Sequence, residues 1–200
     1  MMTWRVITYT GAVSRWRPDA RERLERAAFE LFAEQGFAAT TVPEITARAG
    51  LTTRTFFRYF ADKREVLFAG AGQLKELIVR TLDSALDSAA PLDAVAEALQ
   101  VAGAAMQDGG DRPRLRQVVI AANPELQERE LIKLASIAAA IAGALRQRGV
   151  PDPAASLTAE AGIAVFKIAF ERWISLDGQQ DLPETIREAL DELKAVTAGT

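Results

Sequence analysis

Neither cysteine nor histidine occurs in the 200-residue sequence, and the two absences remove whole classes of chemistry. Without cysteine there is no disulfide framework and no thiolate metal site, and the redox compartment leaves no mark on the chain. Without histidine the usual general base and the commonest metal ligand are missing, which excludes a Ser-His-Asp or zinc hydrolase. No Gly-rich phosphate loop is present, and Glu160 and Glu171 are eleven residues apart, too far in sequence to suggest a paired acid and base. No catalytic site, metal or cofactor is therefore expected. No uncharged apolar run reaches the roughly 20 residues that span a bilayer. The opening residues hold no apolar core of the kind a secretory signal needs. A cytoplasmic protein with no membrane partner is the expectation.

What is present is ordinary for a soluble globular chain: 49% hydrophobic and 26% charged residues. The net charge of −3 is unevenly divided. Residues 1–68 carry 11 Lys/Arg against 8 Asp/Glu, or +3, and residues 69–200 carry 13 against 19, or −6. A basic N-terminal end is the electrostatic footprint of a nucleic-acid binder. The acidic remainder limits non-specific adhesion to DNA.

The basic end contains the most informative stretch, TVPEITARAGLTTRTFFRYFADK at 41–63. Thr41 followed by Glu44 is a capping box. Ile45 and Ala49 fall one turn apart on a buried face, and Gly50 closes the helix in the left-handed region. Thr52 caps a second helix, in which Phe56 and Phe60 share the buried side. Two helices of about two turns each, joined by a Gly-containing turn, make a helix-turn-helix.

The outward residues of the second helix suit a major groove. Arg54 can bond a guanine edge with two donors, Thr53 can meet a thymine methyl, and Phe57 can offer only an apolar contact, to a sugar or a thymine methyl. Thr41, Thr52, Arg58 and Tyr59 are candidates for phosphate oxygens, and Arg21 is a further one. The alternative is a solvated face on a packed helix, which must also account for Phe57 standing off the core stripe.

The run TTVPEITARAGLTTRTFFRYFADKREVLF resembles the N-terminal DNA-binding domain of TetR-type bacterial transcriptional regulators. The likeness extends back over RERLERAAFELFAEQGF, covering about residues 18–68. Beyond that the chain resembles the family only in being helical and of suitable length. The resemblance implies that Lys63 and the amides of the helix it begins contact phosphate. It also implies that the last two helices form a four-helix dimer interface and that ligand binding in the C-terminal domain releases DNA. One position departs from the family. Many members carry tyrosine where this chain has Phe57, which has no hydroxyl to offer the DNA backbone.

The expected fold is all-α, with about nine to ten helices. Residues 1–16 read as an N-terminal arm, with Arg15 and Arg17 near its end. Residues 17–68 form the helix-turn-helix domain, and residues 69–200 the effector-binding and dimerisation domain. A first helix is expected at 18–35, ending at Gly36 in a Schellman termination with Phe37 folded onto Phe32. After the helix-turn-helix, with Asp62 as a cap, helices are expected at 62–71, 73–89, 92–107, 113–122, 125–148, 154–177 and 184–197, separated by Gly and Pro. The helix at 154–177 is apolar around most of its girth. It carries Leu157, Ala161, Ala164, Val165, Ile168, Ala169, Arg172 and Leu176, with Phe166, Phe170 and Trp173 on a neighbouring face, so it is expected to be buried on more than one side. Candidate ligand-binding residues are Leu99, Met106, Val119, Asn123, Phe166, Phe170 and Trp173, with Gln117 and Arg172 as polar orienters; the same set could be plain core. Together these features point to a homodimeric repressor of a palindromic site in double-stranded DNA, released by a small apolar or amphipathic effector. An activator or a ligand-independent DNA-binding protein with the same fold is the alternative. A helical enzyme or carrier is the remaining reading.

Overall fold

The computed structural model describes residues 19–85, 90–175 and 180–199, which contain ten α-helices and no strand. They are α1 (Ala20–Gln35), α2 (Val42–Ala49), α3 (Thr53–Tyr59), α4 (Lys63–Leu67) and α5 (Ala71–Ser84), then α6 (Pro91–Gln107), α7 (Arg112–Ala121), α8 (Pro124–Gln147), α9 (Asp152–Ser175) and α10 (Leu182–Ala198). The expected arm at 1–16 with Arg15 and Arg17, and Leu176 at the end of the expected 154–177 helix, lie outside the described residues.

Helices α6 to α10 begin one or two residues before their expected starts. Pro91 and Pro124 open α6 and α8, while Pro113, Pro153 and Pro183 sit second in α7, α9 and α10. A proline costs nothing in a first turn, where its missing N–H has no intrahelical partner anyway. Read as punctuation, those prolines push each expected start too late. The helix expected at 62–71 is only the five-residue α4, and α5 begins at Ala71 rather than 73. The end of α1 also differs from expectation. Gly36 adopts φ 81°, ψ 161°, a region essentially reserved for glycine and not the left-handed conformation of a Schellman motif. Phe37 does fold back, with its ring 5.2 Å from that of Phe32.

Buried side chains gather in two cores. The first joins Leu24, Leu31 and Phe32 of α1 to Ile45, Phe56 and Phe60, and to Val66, Leu67 and Phe68 around α4. It also takes in Val119 and Ile120 of α7 and Leu126 of α8, so the head is not built from the residues before 69 alone. The second core is formed by α5, α6, α8, α9 and α10 around Leu99, Ile141, Leu145, Phe166 and Ile186. Helix α9 is long and apolar enough to cross a membrane by length and composition. Its Phe166, Ala169, Phe170 and Trp173 are buried in the second core. Leu157, at 72% exposure, and Ile168, at 51%, point outward instead.

Two helical glycines are predicted to respond oppositely to alanine. A Cβ on Gly162 of α9 would lie 2.5 Å from Cγ1 of Val95, a buried and rotamerically stiff neighbour on α6. On Gly143 of α8 it would meet nothing within 4 Å. Gly143→Ala is expected to gain about 0.5–1 kcal/mol from helix propensity. Gly162→Ala should lose about 1–2 kcal/mol net, because overpacking outweighs that gain. Denaturant unfolding of the two variants checks both signs.

Candidate nucleic-acid interface

Local hydrogen bonds set the helix-turn-helix. The Thr41 hydroxyl accepts from the Glu44 amide at 3.4 Å and donates to Glu44 Oε2 at 2.7 Å, while the Thr41 amide donates to the same carboxylate at 2.8 Å. The Thr41 hydroxyl, then its amide, hold the Glu44 carboxyl below the usual glutamate range. Gly50, at φ 62° and ψ 40°, turns the chain, and Thr52 caps α3 by accepting from the Thr55 amide at 3.1 Å. Arg48 fastens α2 to α1 through two bonds to Glu34, at 2.8 and 2.7 Å. Arg23 of α1 donates to the Ala49 carbonyl at the end of α2.

Packing sorts α3 into two faces. Phe56 is fully buried and its ring lies 5.4 Å from that of buried Phe60. Thr53, Arg54, Phe57, Arg58 and Tyr59 are exposed, Phe57 by 56%. Thr53 and Phe57 are one turn apart, with Arg54 beside them on the same end of the face. Arg54 has no hydrogen-bond or ion-pair partner among the described residues. Arg58 lies with its guanidinium 4.8 Å from the Tyr59 ring centre and donates to the Tyr59 hydroxyl at 3.0 Å. The phenolic proton and the remaining guanidinium donors of this pair meet no partner among the described residues.

The other expected phosphate ligands are already engaged inside the protein. Thr41 and Thr52 serve as caps, their hydroxyls accepting from the Glu44 and Thr55 amides. Arg21 donates to Glu25 at 3.0 Å and to the Ala69 carbonyl, tying α1 to the end of the α4 segment. Lys63 Nζ donates to three carbonyls of the loop after α1: Phe37 at 2.6 Å, Thr40 at 2.7 Å and Ala38 at 3.1 Å. An ammonium has three N–H donors, so this set uses all of them. Burial beneath that loop holds the Lys63 pKa below the ordinary lysine value.

A cavity of about 450 Å³ lies between the two cores. Leu99, Met106, Phe166, Phe170 and Gln117, all candidates from the sequence, line it. Val119 is instead buried in the first core. Asn123 donates to the Val119 carbonyl at 2.6 Å, at the turn into α8. Trp173 packs on Phe170 in the second core, and Arg172 pairs with Glu192 at 2.8 Å. None of these last four lines the cavity. Sequence reasoning missed the opposite wall, where Phe29 of α1 and Val66, Leu67 and Phe68 of the head face Leu74 and Ile78 of α5. Those residues read simply as core, and nothing in their spacing separates core from cavity wall.

Polar links cross the same seam. Glu65 of α4 pairs with Arg129 and, at 3.5 Å, with Lys133, both on α8. Arg116 of α7 donates to the Leu67 carbonyl and to Glu130, each at 2.8 Å. Helix α4 is therefore held by the head on one side and by α7 and α8 on the other.

Comparison with known proteins agrees with this geometry. Residues 25–69 match the family described as bacterial regulatory proteins, tetR family, and residues 89–198 match the MftR C-terminal domain. The mycofactocin biosynthesis transcriptional regulator MftR of Mycobacterium tuberculosis is 29% identical over 92% of this chain and 93% of its own length. The HTH-type transcriptional regulator TcmR of Streptomyces glaucescens is 35% identical, but over only 44% of this chain and 39% of TcmR. Among solved structures, the transcriptional repressor FadR of Thermus thermophilus, in complex with lauroyl-CoA, is 26% identical with a TM-score of 0.51. That likeness covers 86% of this chain and 91% of FadR. The chain belongs to the TetR family of bacterial DNA-binding transcriptional regulators.

Proposed function

We propose that the chain is a homodimeric repressor that holds a palindromic operator and releases it when a small apolar or amphipathic effector fills the cavity between the cores. The carrying observation is that one cavity is walled both by head residues, Val66 to Phe68, and by the body residues Leu99, Met106 and Phe166. A ligand there touches both parts at once, so it can favour one disposition of α4 over another. Such differential contact is what lets a ligand shift an equilibrium. The effector class is supported by the apolar wall and by the lauroyl-CoA held by FadR.

Dimerisation is supported by the outward stripe of α9. Leu157, Ala161, Ala164 and Ile168 recur at helical spacing, and exposed apolar stripes of this kind mark partner surfaces. Pairing through α9 and the neighbouring α10 doubles the base pairs that a short α3 can read.

Selection of duplexes from a random library by the full-length protein tests this reading, followed by titration of lauroyl-CoA into the complex. A two-fold-symmetric site whose affinity falls steeply with salt, and which is lost as lauroyl-CoA is added, is the expected result. An enriched site without two-fold symmetry would remove the dimer. A complex indifferent to lauroyl-CoA and to other apolar amphiphiles would remove the effector class.

A further inference from the structure

We infer that Phe57 is a specificity-determining residue that reads the C5-methyl group of a thymine in each half-site; this rests on the proposed function. Of the five exposed side chains of α3, four carry hydrogen-bonding groups: Thr53, Arg54, Arg58 and Tyr59. Phe57 alone carries none, yet its ring is 56% exposed on the same helix. Its inner edge is fixed, because the ring stands edge-on to buried Phe56 with centroids 5.5 Å apart. The ring is thus a stiff apolar surface presented outward beside Arg54 and Thr53.

In the major groove each base pair shows a set of donors and acceptors, and the thymine methyl is the one apolar feature among them. A phenylalanine ring can bond no phosphate oxygen and no base edge, so among the groups that carry sequence information the methyl is the one it can recognise. Backbone anchoring does not depend on position 57. The Tyr59 hydroxyl accepts from Arg58 and keeps its proton to donate, and that pair offers several donors to a phosphate. With anchoring placed two residues further on, position 57 is available for base readout. Arg54, one residue past Thr53 on the same turn, addresses a neighbouring guanine.

The test uses the duplex enriched by the wild-type chain from a random library, resynthesised with deoxyuridine replacing each thymine in turn. Deoxyuridine pairs as thymine does and lacks only the methyl. At one position per half-site the wild-type protein should lose about fourfold in affinity, equivalent to about 0.8 kcal/mol for one buried methyl. In Phe57→Ala the same substitution should cost nothing, while the variant itself binds the thymine duplex more weakly. The exposure of Phe57 makes a folding defect in that variant easy to exclude by thermal melting. An enriched duplex indifferent to deoxyuridine everywhere overturns the inference and leaves the repressor reading standing. So does a deoxyuridine penalty that persists undiminished in Phe57→Ala. Uniform weakening by Phe57→Ala with no deoxyuridine effect would place the ring on a sugar and also overturns it. Failure to enrich any duplex overturns the repressor reading, and this inference with it.

Discussion

Arg54→Ala is expected to cost between about 30-fold and 25,000-fold in affinity for the selected operator, with far less loss on unrelated duplexes. A bidentate arginine–guanine contact is worth about 1–3 kcal/mol, and a two-fold complex contains two of them, giving about 2–6 kcal/mol in total. The protein itself should be untouched. Arg54 is exposed on α3 and has no partner among the described residues, so folding stability should stay within about 0.5 kcal/mol. The contrast with Arg58→Ala separates reading from anchoring. Arg58 is paired with Tyr59; with the phosphate role proposed for it, its loss should weaken all duplexes alike and reduce the salt slope by about one per half-site. Titrating each variant against operator and scrambled duplex at several salt concentrations gives both numbers. If Arg54→Ala weakens both duplexes equally, Arg54 belongs to the backbone contacts and base reading falls to Thr53 and Phe57.

The parts of this interface that the sequence declares are those whose partners are two to five residues away. The Thr41–Glu44 box, the Gly50 turn, the Thr52 and Asp62 caps and the Phe56–Phe60 stripe all follow from spacing, because a helix fixes which neighbours meet. The failures have the opposite character. Arg21 reaches Ala69 across 48 residues, and Arg116 reaches Leu67 across 49. Val119, Ile120 and Leu126 enter the first core although they follow the expected domain boundary by more than fifty residues. An apolar stripe reports that a helix is buried, not against what, so α7 read as part of the body when one of its faces closes the head. The same limit applied to the cavity. Phe166 and Phe170 were legible as buried aromatics, whereas the wall facing them comes from the short α4 and the turn after it.

That turn gives the two cores a common part. Phe68 is buried in the head, lines the cavity and lies under the Arg116 guanidinium at 5.0 Å. Glu65, one turn earlier, is held by Arg129 and Lys133 of α8. Any movement of α8 or α7 would therefore act on α4 through charged pairs as well as packing. Helix α4 in turn carries Lys63, which holds the α1–α2 loop that precedes the helix-turn-helix.

Lys63→Met is expected to lower folding stability by about 2–4 kcal/mol without changing the salt dependence of DNA binding by the folded protein. Methionine keeps most of the stem's volume and apolar character, so what is removed is the ammonium. Three carbonyls lose their donor at once, and those of Phe37 and Thr40 are bonded at 2.6 and 2.7 Å in partly buried surroundings. Hydrogen bonds to a charged group contribute about 1.5–3 kcal/mol each, and water can replace the one to the exposed Ala38 carbonyl, which keeps the total below a simple sum. The contact of the ammonium with the Phe37 ring, at 4.5 Å, is lost as well. If Lys63 instead neutralised a phosphate, stability would change little and the salt slope would fall by about one per half-site. Denaturant unfolding together with a salt titration on the selected duplex separates the outcomes. A stable variant with a shallower slope would return Lys63 to the DNA, and an unstable one with an unchanged slope makes it the fastener between α4 and the loop after α1.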